Sequence, residues 1–302
     1  LKLLRRQRRR HSMRLTLINS SLTNLFVVRG ASVEIVVIGN EILNGSVQDT
    51  NSRWLAQQLY ELGFNLRRIT AVRDDPREIV AAIRQAAKRG ARWIFTSGGL
   101  GPTYDDITLD AVAKAINKKL VVNEEALAML KERYEKLAAA GIISSAELTP
   151  ARIKMAIMPK GARPLRNNAG SAPGCLVKYR RSLIVSLPGV PAELIDIFQR
   201  EVRPLLEMEK DRVQRIRRWI DVKGVPESLF APQLEAIYRS LRGRVYIKSH
   251  PRGFEDGLSV ITLEIIAEHS DREKAEEWLG RAEELLAKAL EKAGAREVIR
   301  HE

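Results

Sequence analysis

Cysteine occurs once in this chain of 302 residues, as Cys175. No internal disulfide can form, and a reducing cytoplasm is the expected setting. Histidine is nearly as scarce: His11, His250, His269 and His301 all stand in the first or last stretches of the sequence. A Ser/His/Asp arrangement is therefore not expected, and Cys175, with no adjacent base, reads as a small packed residue rather than a nucleophile. No Cys/His cluster has the spacing of a zinc site. Aromatic residues make up 5% of the chain, which offers no platform for stacking bases. No apolar run is long enough to span a membrane.

Residues 1–32 hold eight basic side chains (Lys2, Arg5, Arg6, Arg8, Arg9, Arg10, Arg14 and Arg29) and no acidic one. The chain carries a formal charge of +14, so this tail supplies eight of the fourteen and leaves +6 for the rest. From Arg215 to Glu302, 16 basic and 16 acidic residues cancel. The excess charge is thus mostly a property of the tail, and the body is only mildly basic. Asn19, Ser20, Ser21, Thr23 and Asn24 interrupt what would otherwise read as the apolar part of a secretion signal. A basic arm without fixed structure is one reading. Upstream sequence joined in error to a protein that starts at Met13 or near Val33 is the other.

From Val33 onward, short β-rich runs alternate with amphipathic helices. Strands are expected at 33–39, 66–72 and 92–97, and helices at 51–62, 76–88, 108–116 and 124–140. Such alternation means right-handed crossovers and a largely parallel sheet. A hairpin around Arg180–Arg181 and a helix over 192–208 follow. The charged run "EMEKDRVQRIRR" marks a boundary near residue 210. Beyond it, strand–helix–strand–strand–helix (216–222, 226–241, 244–249, 258–268, 271–293) predicts a compact α+β module. The organisation is a tail over 1–32, an α/β domain over 33–209 and a second domain over 210–302.

Ligands of an open parallel sheet bind beyond the carboxyl ends of its strands. Three polar loops fall there: "GNEILNGSVQDTN" (39–51), "RDD" (73–75) and "TSGGLGPTYDDIT" (96–108). The last combines Gly98, Gly99 and Gly101 with Thr103, Asp105 and Asp106. It is no P-loop, since it lacks Gly-Lys-Ser/Thr, and Tyr104 stands where a GxGxxG would end. Taken alone, the glycines fit a tight turn and one aspartate fits a helix cap. Together they suit a phosphate held on backbone N–H groups beside a hard cation such as Mg²⁺ or Mn²⁺. The loops "NNAGSAPG" (167–174) and "LPGVPAE" (187–193) are expected to close the site.

In this order and spacing, "IGNEILNGSVQDTN", "TSGGLGPTYDDIT", "NAGSAPG" and "LPGVPAE" closely resemble the amino-terminal part of the competence/damage-inducible CinA proteins. Those belong to the MoaB/Mog-like molybdopterin-binding superfamily, and the resemblance covers about 33–207. It implies a three-layer α/β/α fold with a mostly parallel sheet, a KH-like second domain and a homodimer. It also implies metal-dependent hydrolysis of ADP-ribose or a similar dinucleotide, with Mg²⁺, Mn²⁺ or Co²⁺. A pterin-binding role in molybdenum cofactor assembly is the alternative, and a nucleic-acid-binding module a third. No two glycines beyond residue 210 stand three apart, so the backbone clamp of a working KH domain is missing. No counterpart of the nicotinamide-mononucleotide deamidase domain follows, so deamidation is not expected. "SAPGC" also replaces the family's more usual Thr-Ala-Pro-Gly-Phe.

The candidate catalytic groups are Glu41 and Asp106, and the candidate metal ligands Asp49, Asp105 and Asp106. Asn51, Ser97, Gly98, Gly99, Gly101, Thr103, Asn168, Ser171 and Gly189 are the candidate substrate-binding residues.

Overall fold

A computed structural model describes residues 30–301. The basic tail, except for its last three residues, lies outside the described residues. Internal contacts separate the chain into one unit over Gly30–Arg212 and another that takes in Val213 onward.

The first unit runs β1 (Ser32–Ile38), α1 (Asn40–Leu43), α2 (Thr50–Glu61), β2 (Asn65–Val72), α3 (Pro76–Lys88), β3 (Trp93–Ser97) and α4 (Thr108–Ile116). It continues with β4 (Leu120–Val122), α5 (Glu124–Ala139), α6 (Pro150–Lys154), β5 (Ile157–Pro159), β6 (Arg163–Leu165), β7 (Gly174–Tyr179), β8 (Ser182–Leu187) and α7 (Pro191–Ile197). A π-helical turn over Phe198–Val202 leads into α8 (Arg203–Glu207). The main sheet has the order β2-β1-β3-β8-β7-β6. Its first four strands are parallel, and β7 and β6 add on antiparallel.

The apolar run of β1 explains the layering. Val36 and Ile38 point into a core shared with α3, α4 and α5, while Val33, Ile35 and Val37 face a second core with α2, α7 and α8. Helices cover both faces, so the strand reads as nearly continuous hydrophobic sequence. Each fully buried Ile or Val contributes about 1.5–3 kcal/mol. The exception is Glu34, 2% exposed, whose carboxylate takes a two-pronged grip from Arg89 (Nε–Oε1 2.8 Å, Nη2–Oε2 2.5 Å).

The single helix expected over 192–208 is divided instead. Pro204 has no N–H to donate, and the ladder before it widens into the π turn at Phe198–Val202. The short elements α1, α6, β4, β5 and β6 carry too few residues to show a period, and the sequence reading leaves them as loops.

Strand register decides where the loops emerge. Ile38 lies opposite Val72, Val37 opposite Ser97, and Ser97 opposite Leu187. Four parallel strands therefore end together, and the segments after Ile38, Val72, Ser97 and Leu187 leave from one edge.

The second unit consists of β9 (Gln214–Lys223), α9 (Glu227–Ser240), β10 (Val245–Glu255), β11 (Leu258–His269), α10 (Arg272–Lys292) and β12 (Glu297–His301). Its sheet, β10-β11-β9-β12, is antiparallel throughout, with α9 and α10 supplying the helical side of its core. This is the split β-α-β order of a ferredoxin-like α+β unit. The expected strand–helix–strand–strand–helix order is present. The added strand, β12, is exposed along its whole length and has no hydrophobic alternation for the sequence to reveal. Among the described residues, no helix is long and apolar enough to cross a membrane.

Candidate functional site

A cleft of about 580 Å³ opens where the parallel strands end. Its walls come from Ile38 and Glu41 after β1, Asp74 after β2, and the 98–106 loop after β3. Tyr134 of α5, Met155, the Gly170–Ala172 segment, Pro188–Val190 and Glu193 complete it. Chain segments far apart in sequence thus share one cavity.

The 98–101 turn is tight because its backbone demands it. Gly98 has φ 107° and Gly99 φ 69°, a region closed to most side chains. A Cβ on Gly98 would overlap the carbonyl oxygen of Ile38, and one on Gly99 would overlap Thr108 Oγ1. Buried Thr108 ties the turn to the start of α4: its hydroxyl donates to Gly98 O (2.8 Å) and its N–H to Gly99 O (3.1 Å). The Gly98 N–H donates to Leu187 O at 3.0 Å. The next three amides, those of Gly99, Leu100 and Gly101, have no hydrogen-bond partner among the described residues. Successive unpaired N–H groups in a glycine turn leading into a helix form an anion-binding nest.

Carboxylates crowd the outer part of the same loop. Thr103 Oγ1 lies between the Asp105 and Asp106 carboxylates, within 2.5 Å of Asp106 Oδ2, and its one proton can serve either. Asp106 Oδ2 also accepts the Thr103 N–H at 2.8 Å. The hydrogen bond from the Thr103 hydroxyl holds the Asp105 carboxyl below the usual range, helped by Asp105's own amide and by the charge of Lys154. Lys154 reaches the loop from α6 by donating to Thr103 O. Asp74 Oδ2 accepts the Asn40 N–H at 2.8 Å, which fixes the start of α1 and thereby the segment that carries Glu41.

Glu41, Gly98, Gly99, Gly101, Thr103, Asp105, Asp106, Ser171 and Gly189 all line the cleft. Asn51, Ser97, Asp49 and Asn168 do not. Asn51 Nδ2 donates to Ser97 Oγ (3.1 Å) and to Gly189 O (2.7 Å), so this pair braces the turn after β8 against the end of β3. Asp49 is the N-cap of α2, accepting from the amide and hydroxyl of Ser52. Asn168 bonds Asp196 through its amide N–H (2.8 Å) and its side chain (3.1 Å), and faces a neighbouring recess. Cys175 is buried, and burial pushes its thiol up to about 12, as befits a packed residue.

Sequence reasoning placed Asp74, in the "RDD" loop, at this end of the sheet, but did not select Tyr134, Lys154, Gly170 or Glu193. The signal for Glu193 was available, since it ends the "LPGVPAE" stretch. Asn167 Nδ2 donates to Glu193 Oε2 (2.6 Å) and to Ala172 O (2.9 Å), while Asn167 Oδ1 accepts the Gly170 N–H (2.7 Å). Gly170 lies so close to Glu193 that any Cβ would strike the carboxylate. Lys154 and Tyr134 come from helices outside the recognisable motifs.

A divalent cation in this cleft would have to be held by these donors. Among the described residues, no three His, Cys, Asp or Glu side chains gather closely enough to hold an ion. Asp49 serves a helix cap, and Asp105 and Asp106 turn onto Thr103. The described side chains alone thus form no cage of three such ligands. A hard cation here would need ligand oxygens to complete its shell, the usual condition for Mg²⁺ at phosphates.

Residues 34–208 match the family described as "Probable molybdopterin binding domain". A protein from Pyrobaculum aerophilum is 44% identical over 256 residues, covering 85% of this chain and 93% of its own length. One from Pyrococcus horikoshii is 42% identical over 228 residues, 76% of this chain and 87% of that protein. The crystal structure of the protein CinA, of unknown function, from Thermoplasma acidophilum aligns at 36% identity with a TM-score of 0.52, covering 58% of this chain and 98% of that one.

Proposed function

This chain belongs to the molybdopterin-binding-domain family, and from that membership we propose that its cleft seats the phosphate of a small anionic ligand, a pterin phosphate or a nucleotide. The observation that carries this reading is the row of three unpaired amides at Gly99, Leu100 and Gly101 on the cleft wall. Anionic oxygens there take charge-assisted hydrogen bonds, each roughly twice as strong as a neutral one. The volume of the cleft suits a ligand of pterin or nucleotide size.

A second reading is hydrolysis of a dinucleotide diphosphate such as ADP-ribose. What favours it is the position of Asp105, Asp106 and Glu41 in the same cavity as the amides. The divalent cation would enter with the diphosphate as part of the substrate, where it offsets phosphoryl charge. Glu41 is then the carboxylate available to take a proton from water.

One experiment separates the two. The protein is incubated with ADP-ribose, FAD and NAD, with and without Mg²⁺, Mn²⁺ or Co²⁺, AMP release is followed by chromatography, and binding of the same compounds and of a pterin phosphate is measured by calorimetric titration. Asp106→Ala serves as control. Metal-dependent AMP that disappears in the variant supports hydrolysis. Binding of phosphate compounds without turnover leaves the seating role alone, and absence of any binding contradicts both.

A further inference from the structure

Beside the cleft lies a smaller recess of about 170 Å³, and it is basic. Arg133, Lys136 and Arg166 contribute three cations against one carboxylate, Glu132. Glu132 is shared, bonding Lys136 Nζ at 2.7 Å and Arg166 Nη1 at 2.7 Å, so it cannot neutralise both. Arg133 has no carboxylate partner among the described residues. Its two Nη groups donate to the neutral carbonyls of Asn168 and Ala169 (both 3.3 Å), and its buried Nε has no partner among the described residues. The nearby Asp196 is taken up by Asn168 and by Arg200 at 2.8 Å.

A guanidinium held in a recess by neutral dipoles keeps its full charge uncompensated, a costly state unless an anion visits. The recess also shares a wall with the cleft. Ser171 lines both cavities, and Arg133 and Tyr134, neighbours on α5, face one each.

We propose that the recess beside Arg133 and Arg166 is a second anion subsite, which selects ligands carrying a phosphate monoester apart from the phosphate held by the glycine turn. This rests on the seating role proposed for the cleft. Planar guanidinium groups suit a terminal phosphate, which they can meet through paired N–H donors.

Calorimetric titration with two matched pairs tests it: NADP⁺ against NAD⁺, and coenzyme A against its dephospho form. Members of a pair differ only by one phosphate monoester. The phosphorylated member of at least one pair is expected to bind ten-fold or more tightly. Arg166→Gln, which touches no loop carbonyl, is expected to remove most of that preference while leaving affinity for the unphosphorylated member within about two-fold, and Arg133→Gln, which also frees the Asn168 and Ala169 carbonyls, is expected to remove the preference as well. Equal affinities within both pairs, or a preference unchanged in both variants, would overturn the subsite and leave the cleft's role standing. No binding of any of the four would overturn both.

Discussion

Asn167 donates to the Glu193 carboxylate at 2.6 Å across 26 residues of sequence. Through this bond the "NNAGSAPG" loop and the "LPGVPAE" turn become one structure. The loop coils round the Asn167 side chain, which touches Glu193, Ala172 and Gly170, and Gly170 leaves room for the carboxylate. One wall of the cleft therefore depends on a pair whose side-chain hydrogen bonds, among the described residues, go to loop and helix rather than to a strand.

Glu193→Ala removes the acceptor and leaves the half-buried Asn167 amide short of a partner. Hydrogen bonds to charged groups contribute about 1.5–3 kcal/mol. A destabilisation within that range is expected in denaturant unfolding, with weaker ligand binding because the 170–172 wall loosens. Glu193→Gln, which can still accept, is expected to recover most of both.

Gly99→Ala tests the turn itself. The positive φ and the overlap with Thr108 Oγ1 act together, and the hydroxyl must give up its bond to Gly98 O. Backbone strain of this kind costs about 1–3 kcal/mol. Gly45→Ala is the comparison: φ is 77°, yet nothing lies within 4 Å of the added carbon. Thermal unfolding should show the larger loss at Gly99.

Glu34→Ala strips Arg89 of both acceptors in the middle of β1. Breaking a buried pair costs about 3–5 kcal/mol, and the 32% exposure of the Arg89 side chain puts the expectation at or below the lower end. The double change Glu34→Leu with Arg89→Leu is expected to recover much of this, because no charge is then left unpaired. Urea midpoints measure both.

Acid should weaken the wall of the recess. Lys136 foremost, then Arg166, holds the Glu132 carboxyl down at about 2, from an ordinary value of 4.5. A depressed carboxyl pKa stabilises the fold fully above the unfolded value, and that stability is lost as pH falls through the folded one. The contribution is present above pH 4.5 and fades toward pH 2. Arg166→Gln removes one of the partners, so stability measured against pH should decline less steeply over that window.

Much of the first unit is legible in the sequence because its central strands β1, β3 and β8 are buried on both faces and its helices keep a 3.6-residue period. The split at Pro204 was foreseeable from proline chemistry, whereas the exposed β12 offers no period at all. In the site, glycines and paired aspartates announce themselves as motifs. Asn51 and Asp49 belong to such motifs too, yet they act by bracing Gly189 and capping α2, a distinction that only the fold makes. Lys154 and Arg133 are single cations on ordinary helices, and nothing local separates them from surface charge.

The central claim is that the amides of Gly99, Leu100 and Gly101 receive a ligand phosphate. Amide chemical shifts in a titration with AMP, ADP-ribose or a pterin phosphate measure this directly. The account predicts that these three N–H resonances move most and saturate together with the binding isotherm, and that Gly99→Ala abolishes the response. A ligand that binds while leaving all three unmoved would contradict it.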